Sequence, residues 1–496
     1  MLFNSVDFLI FFPIATLIYF VLPHRVRYLW LLVCSYYFYM CWNAAYALLL
    51  FASTFITWFS GLAIEAYRRK DDENSKLKCQ GMVAISFTLN LAILMIFKYT
   101  GFIIDNLNLL FGRIGIVFVL PEFSLLLPVG ISFYIFQALS YTMDVYRGDV
   151  AVERNLLRYA VFVSFFPQLV AGPIERSSRL LEQFYERHKF SYEQMARGLM
   201  MMLWGYFQKM VIADRLAVLV SQVFDYYTYY SGVQILVGCV FFALQIYCDF
   251  AGYSCIAIGA AQVMGFDLMQ NFEQPYLAVS IADFWRRWHI SLTSWFRDYL
   301  YIPLGGNRKG RPAKYRNIMI VFLTSGLWHG ANWTYVIWGG LNGLFQILGE
   351  LLRPARGRFR KLFRSNHGTA SAKILSTLFT FLLVDFTWIF FRADNLTAAV
   401  GIIRRLFSGA RLSILFDGGL YAMGLSRIDF TIGLLCVFVL LAVDMLHERK
   451  VEIRSWILCQ NLWFRWTVYF LAVFTILIFG FYGPNYDAAQ FIYFQF

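Results

Sequence analysis

The sequence predicts an all-α polytopic membrane protein, with roughly 10–12 membrane-crossing helices and additional re-entrant or amphipathic helices around a central tunnel. Three observations lead there. The 496 residues are 59% hydrophobic and only 15% charged, against about 45–50% and about 25% in a soluble domain, and the mean hydropathy is +0.57. Apolar runs long enough to span a bilayer recur along the whole chain. Lys and Arg, which give a net charge of +13, fall in short clusters between those runs, as in a membrane protein with basic cytoplasmic loops. This pattern argues against a soluble enzyme, a disordered chain or a nucleic-acid binder, and makes the lipid bilayer the first partner.

The tunnel rests on the aromatic content. Aromatic residues reach 20%, with 52 Phe, 31 Tyr and 14 Trp. An interfacial belt accounts for part of these. Buried Trp and Tyr need hydrogen-bond partners, so the surplus reads either as walls around a polar or hollow centre or as ordinary core packing.

A span needs roughly 20 apolar residues. Candidates run over about 6–22, 28–42, 44–66, 80–99, 125–146, 156–174, 197–220, 232–249, 251–266, 316–331, 333–351, 373–391, 430–446 and 464–482. The first lacks a basic n-region and an A-x-A-like site, and is expected to stay as a membrane helix. Residues 280–302 carry Trp285, Trp288, Leu292, Trp295, Phe296 and Tyr299 at helical spacing, with Arg286, Arg287, Ser294, Arg297 and Asp298 largely on the other side. They predict one amphipathic helix, lying either in the membrane interface or beside a water-filled route. No repeat and no long polar stretch appears, so 1–496 reads as one membrane domain.

Basic clusters at His24–Arg27, Arg68–Lys78, Arg308–Arg316, Arg353–Arg364 and His447–Arg454 belong in the cytoplasm. That places both termini outside and turns Gly330–Trp333 away from the cytoplasm. The eight Cys show no C-x-x-C and read as small hydrophobes.

Ionisable groups within spans are expensive and usually face a partner or cavity. Asp249, Asp385 and Asp444 stand out, and Lys98 and Lys209 are read as snorkelling. Asp249 lies among Gln245, Tyr247, Tyr253 and Ser254, which suggests either an internal polar site or an inter-helix hydrogen bond. Of six His, His24, His188, His367 and His447 lie in polar loops or at helix ends. His289 and His329 lie in apolar context. Each alone is more readily a structural residue than a catalytic one, but Gly326 and Gly330 flank His329, and Trp328 and Asn332 add polar handles beside it. No G-x-S-x-G, P-loop or H-E-x-x-H occurs. No carboxylate or Cys stands at ligand spacing beside either His, so no metal is expected. Two such His suit general-base work on a hydroxyl.

The strings DFWRRWHISLTSWFRDYLYIPLGGNRKG and SGLWHGANWTYVIWGG resemble the membrane-bound O-acyltransferases, most closely the bacterial branch of alginate and peptidoglycan O-acetylation. MLFNSVDFLIFFPIA, SYYFYMCWN, LPVGISFYIFQALSY, FFPQLVAGPIERSSRLLEQF, FTWIFFRADN and FIYFQF extend the likeness over nearly the whole chain, with a diagnostic core at about 280–350. The resemblance implies a catalytic His329 and a second functional His289. The residues themselves make Trp285, Arg286, Arg287, Trp328, Asn332 and Asp249 the substrate-binding candidates. The resemblance also implies that acetyl passes from cytoplasmic acetyl-CoA across a bacterial plasma membrane to an extracytoplasmic polysaccharide, through a secreted or membrane-anchored partner, with no permanently bound cofactor. AGYSC stands where the family usually has S-G-Y-S-D, so no role for an Asp transfers to Cys255. The alternatives are D-alanyl transfer to teichoic acids within the family, or a transporter or export-complex scaffold outside it.

Overall fold

The computed structural model describes residues 1–70, 73–116, 118–121, 125–170, 172–355, 369–409 and 411–482. His367, the end of the Arg353–Arg364 cluster and the terminal FIYFQF lie outside them. Helices and connecting loops make up the described residues, with no strand among them. Among the described residues, six helices are long and apolar enough to cross a membrane: Tyr46–Lys70, Ser75–Arg113, Gly232–Met264, Ala370–Arg392, Arg427–Glu448 and Leu462–Phe479. The chain is an integral, multi-pass membrane protein. Other expected spans are also helical, among them His24–Met40, Ile131–Arg147, Gly310–His329 and Trp333–Leu351, but they are shorter or richer in polar, glycine and aromatic residues.

The chain forms two compact units, Met1–Met202 with Ile256–Met269, and Leu203–Cys255 with Gln270–Phe496. In the first, helix Tyr46–Lys70 shows why these sequences suit lipid. Leu48, Phe51, Phe55 and Phe59 are exposed, while Ser53, Thr54, Thr57 and Ser60 are buried. Apolar residues thus face outward and small residues inward, as helix packing in lipid favours. The buried hydroxyls have partners: Thr54 Oγ1 donates to Leu50 O (2.7 Å) and Ser60 Oγ to Ile56 O (2.7 Å) within the helix, and Ser53 Oγ to Asn90 Oδ1 (2.5 Å) of the next helix.

Several boundaries differ from expectation for physical reasons. The spans expected at 232–249 and 251–266 are one 33-residue helix, Gly232–Met264. Gly252 does not end it; there the backbone of Gly205 and Lys209 comes so close that a Cβ would lie 2.8 Å from Gly205 O. The run at 156–174 breaks after Leu156–Ser164, where Phe165 leaves the helical backbone (φ −50°, ψ 110°) ahead of the short helix Phe166–Leu169 with its Pro167. The span at 125–146 becomes helical only at Ile131, after the left-handed Gly130 (φ 72°).

In the second unit, helices Gly310–His329 and Trp333–Leu351 form a tight hairpin. Gly326 lies against the Tyr335 carbonyl and Gly339 against the Phe322 carbonyl, closer than any Cβ permits. Gly326→Ala should therefore wedge the hairpin open, at about 1–3 kcal/mol as for overpacking. The check is a lower melting temperature of the detergent-purified protein; an unchanged value would show that the hairpin yields without cost.

Candidate active site

The site is built from two interruptions in the second unit. The first lies within 280–302, which is not the single amphipathic helix that its periodicity predicts. Helix Ile281–Arg287 stops, Trp288 turns extended (φ −103°, ψ 128°), and His289 takes a left-handed backbone (φ 45°, ψ 53°) before helix Ile290–Phe296 begins. A non-glycine residue seldom adopts that conformation, although His does so more readily than most. The second interruption is the hairpin turn. His329 is the last residue of helix Gly310–His329, and Asn332 caps the next helix, its side chain accepting from Thr334 N (3.0 Å).

These interruptions bring the two imidazoles together. The ring centroids of His289 and His329 lie 6.5 Å apart, although 40 residues separate them in sequence. Both rings are buried, His289 to 1% and His329 to 4% exposure. His329 sits among Trp328 (4.9 Å), Trp338 (5.0 Å) and Phe391 (5.4 Å), all edge-on. Phe250 (4.6 Å) and Trp328 (6.1 Å) flank His289. Burial pushes His289, which lies outside the six apolar helices, down to about 3 from the usual 6.5, so its ring is neutral at physiological pH. Its contribution to stability is complete above about pH 6.5. It falls as pH drops toward 3, because the unfolded imidazole takes up a proton that the folded one refuses.

The remaining sequence candidates divide. Trp285 joins the enclosure: its ring packs on Trp338 (5.7 Å) and its Nε1–H donates to Asn342 Oδ1 (3.3 Å). Asn332 ties the hairpin turn to Asp394 O (2.9 Å). Arg287 is held by carboxylates, with Glu448 at 2.6 Å and Asp283 at 3.3 Å. Arg286 is exposed. Asp249 lies in a buried ion triad, 2.6 Å from Lys209 Nζ, which also meets Asp214 at 2.9 Å. Lys209 is 1% exposed; it is buried between two carboxylates rather than snorkelling. Cys255 is a free, partly buried thiol.

Trp338 and Phe391 are site residues that sequence reasoning missed as individuals, although Trp338 lies in the core at about 280–350 and Phe391 in the supporting string FTWIFFRADN. The Nε1–H of Trp338 has no acceptor among the described residues, and the residue is 1% exposed. A buried donor left unused is unusual, and here it belongs to a ring that packs against His329.

Residues 150–383 match the membrane-bound O-acyltransferase family, MBOAT. A probable alginate O-acetylase, AlgI, of Pseudomonas putida is 41% identical over 82% of this chain and 80% of its own length. The peptidoglycan O-acetyltransferase of Helicobacter pylori is 35% identical, over 82% and 79%. The teichoic acid D-alanyltransferase of Bacillus subtilis is 28% identical, over 55% and 70%. The chain belongs to the membrane-bound O-acyltransferase family and is an O-acyltransferase. Its relatives include both alginate and peptidoglycan O-acetylating proteins.

Proposed function

We propose that the protein moves an acetyl group from cytoplasmic acetyl-CoA across a bacterial plasma membrane for O-acetylation of an extracytoplasmic polysaccharide of the alginate or peptidoglycan type. A secreted or membrane-anchored partner completes the transfer. The observation that carries this reading is the meeting of His289 and His329 in one aromatic enclosure, in a chain whose O-acetylating relatives match over four-fifths of its length.

His329 takes the proton of the attacking hydroxyl as its oxygen bonds to the acetyl carbon. The carbon–sulfur bond breaks, and the proton passes to the departing thiolate, leaving an ester and free CoA thiol. The unengaged Trp338 N–H supplies a donor for the carbonyl oxygen while it carries charge, the role that preorganised donors play in acyl transfer. His289, neutral and edge-on to Trp328, orients the acceptor. With Arg287 committed to Glu448 and Asp283, Arg286 is the guanidinium on this segment offered to the donor's phosphates.

Radiolabelled acetyl-CoA given to membranes containing the protein and its native acceptor tests the reading. Label appearing in polymer supports it. Label that enters polymer from a D-alanyl carrier thioester instead would support D-alanyl transfer. No transfer from either donor would favour a transporter or scaffold.

The direction of transfer requires the Arg308–Arg316 loop to be cytoplasmic and the Gly330–Trp333 turn to open outward, an orientation supported by basic-residue asymmetry. On intact cells, a membrane-impermeant thiol reagent should label Asn332→Cys and spare Lys309→Cys. The reverse pattern would overturn the orientation.

A further inference from the structure

His289 poses a problem of support. Its left-handed backbone interrupts two helices of seven residues each, leaving amide and carbonyl groups without helical partners on both sides of the break. A helix start is ordinarily capped by the side chain at the N-cap position. Here that position is His289, and its side chain makes no capping hydrogen bond.

The missing cap comes from residues 271–273. Ile290 N donates to Asn271 O (3.0 Å). Asn271 Oδ1 accepts from Ser291 Oγ (2.6 Å) and, at longer range, from Ser291 N (3.4 Å). On the other side, Glu273 N donates to Arg287 O (3.0 Å), closing the end of the preceding helix. Between them the Phe272 ring meets Trp288 and Phe250, each at 5.0 Å. Asn271 is itself fixed, since its Nδ2–H donates to Ser254 Oγ (3.1 Å), and it is 1% exposed. One buried side-chain amide thus accepts from Ser291, two residues after His289, while the backbone carbonyl of the same residue accepts from Ile290 N, and the amide is anchored on the helix that carries Phe250.

We propose that Asn271 is the positioning residue for His289. By bracing the backbone that follows the break, it fixes the place of the His289 ring, 6.5 Å from that of His329. This rests on the reading that His289 takes part in acyl transfer. Asn271 touches neither donor nor acceptor, so its loss is expected in turnover rather than in donor binding.

Kinetics of the full-length, detergent-purified protein with acetyl-CoA separate the possibilities, turnover being expressed per folded molecule. Asn271→Ala should lower kcat by at least about tenfold, since a misplacement of ~1 Å costs on the order of a hundredfold, with KM for acetyl-CoA unchanged. Asn271→Asp keeps the accepting oxygen and should restore kcat to near the wild-type value, a rescue that general loosening of the fold would not give. Should the alanine variant fail to accumulate, Asn271→Ser takes its place, because its hydroxyl falls short of Ser291, and the same kcat-only loss is expected. Wild-type kcat in Asn271→Ala or in Asn271→Ser, or an equal loss in Asn271→Asp, overturns the proposal. His289→Ala in the same assay guards the premise. If it retains wild-type turnover, the assignment of His289 fails; if it is inactive while Asn271→Ala is not, only the positioning role fails.

Discussion

His329→Ala is expected to reduce acyl transfer to near background while leaving the protein folded and inserted. General-base assistance is worth about 10²–10⁴-fold, and no other imidazole among the described residues shares the Trp328, Trp338 and Phe391 enclosure except His289, whose ring stands 6.5 Å away. His329 lies at the very end of its helix, so shortening its side chain breaks no helical hydrogen bond and leaves the Gly326–Tyr335 and Gly339–Phe322 approaches intact. The hairpin should therefore survive, and the loss should be chemical. His289→Ala should impair turnover less completely, because that ring orients the acceptor without moving the proton. The measurement is polymer O-acetylation per amount of monodisperse protein in detergent. Residual turnover above roughly a tenth of wild type is more than removal of such a base allows and would make His329 a packing residue.

The sequence exposed the two His and the membrane class but not their meeting. Periodicity finds residues that share a face of one helix; it is silent on residues 40 positions apart in different segments. It also misled at 280–302. Trp285, Trp288, Leu292 and Trp295 keep helical spacing through the break, and the stretch contains no Gly or Pro to mark it. The interruption is supported from outside, where Asn271 accepts from Ile290 and Ser291 and Glu273 N donates to Arg287 O. Arg287 was legible as a cation, but its partner Glu448 lies 161 residues away, so its commitment to an ion pair was not. The same limit applies to Gly252: a glycine within an apolar run reads as a break until the chain at Gly205 and Lys209 is seen resting against it. The hairpin was legible because Gly326 and Gly330 flank His329, and close helix approach in lipid depends on small residues.

Lys209→Met is expected to destabilise the second unit severely. Lys209 Nζ stands 2.6 Å from Asp249 Oδ1 and 2.9 Å from Asp214 Oδ1, and all three side chains are at most 4% exposed. Two carboxylates share one ammonium, which also faces the Tyr253 ring at 5.6 Å. Met fills much the same space, so packing is largely kept while the charge is lost. Breaking a buried pair by removing one partner costs roughly 3–5 kcal/mol, because the remaining charge stays desolvated and uncompensated, and here two charges of like sign remain. The expected result is a large fall in melting temperature and in the yield of monodisperse protein. Neutralising the whole group, with Lys209→Met, Asp214→Asn and Asp249→Asn together, should recover most of that loss, since replacing a buried ionic group with neutral residues of similar volume is often close to neutral. A single Lys209→Met variant as stable as wild type would show that the triad contributes nothing. A triple variant no better than the single would mean that Lys209 acts through shape rather than charge. The consequence for function follows from position. Asp249 precedes Phe250, whose ring packs 4.6 Å from His289, so the triad fixes the helix that walls one side of the site. If Asp249 serves by holding that helix and not by touching substrate, the stable triple variant should retain donor affinity, and a raised KM for acetyl-CoA in that variant would return Asp249 to the binding site.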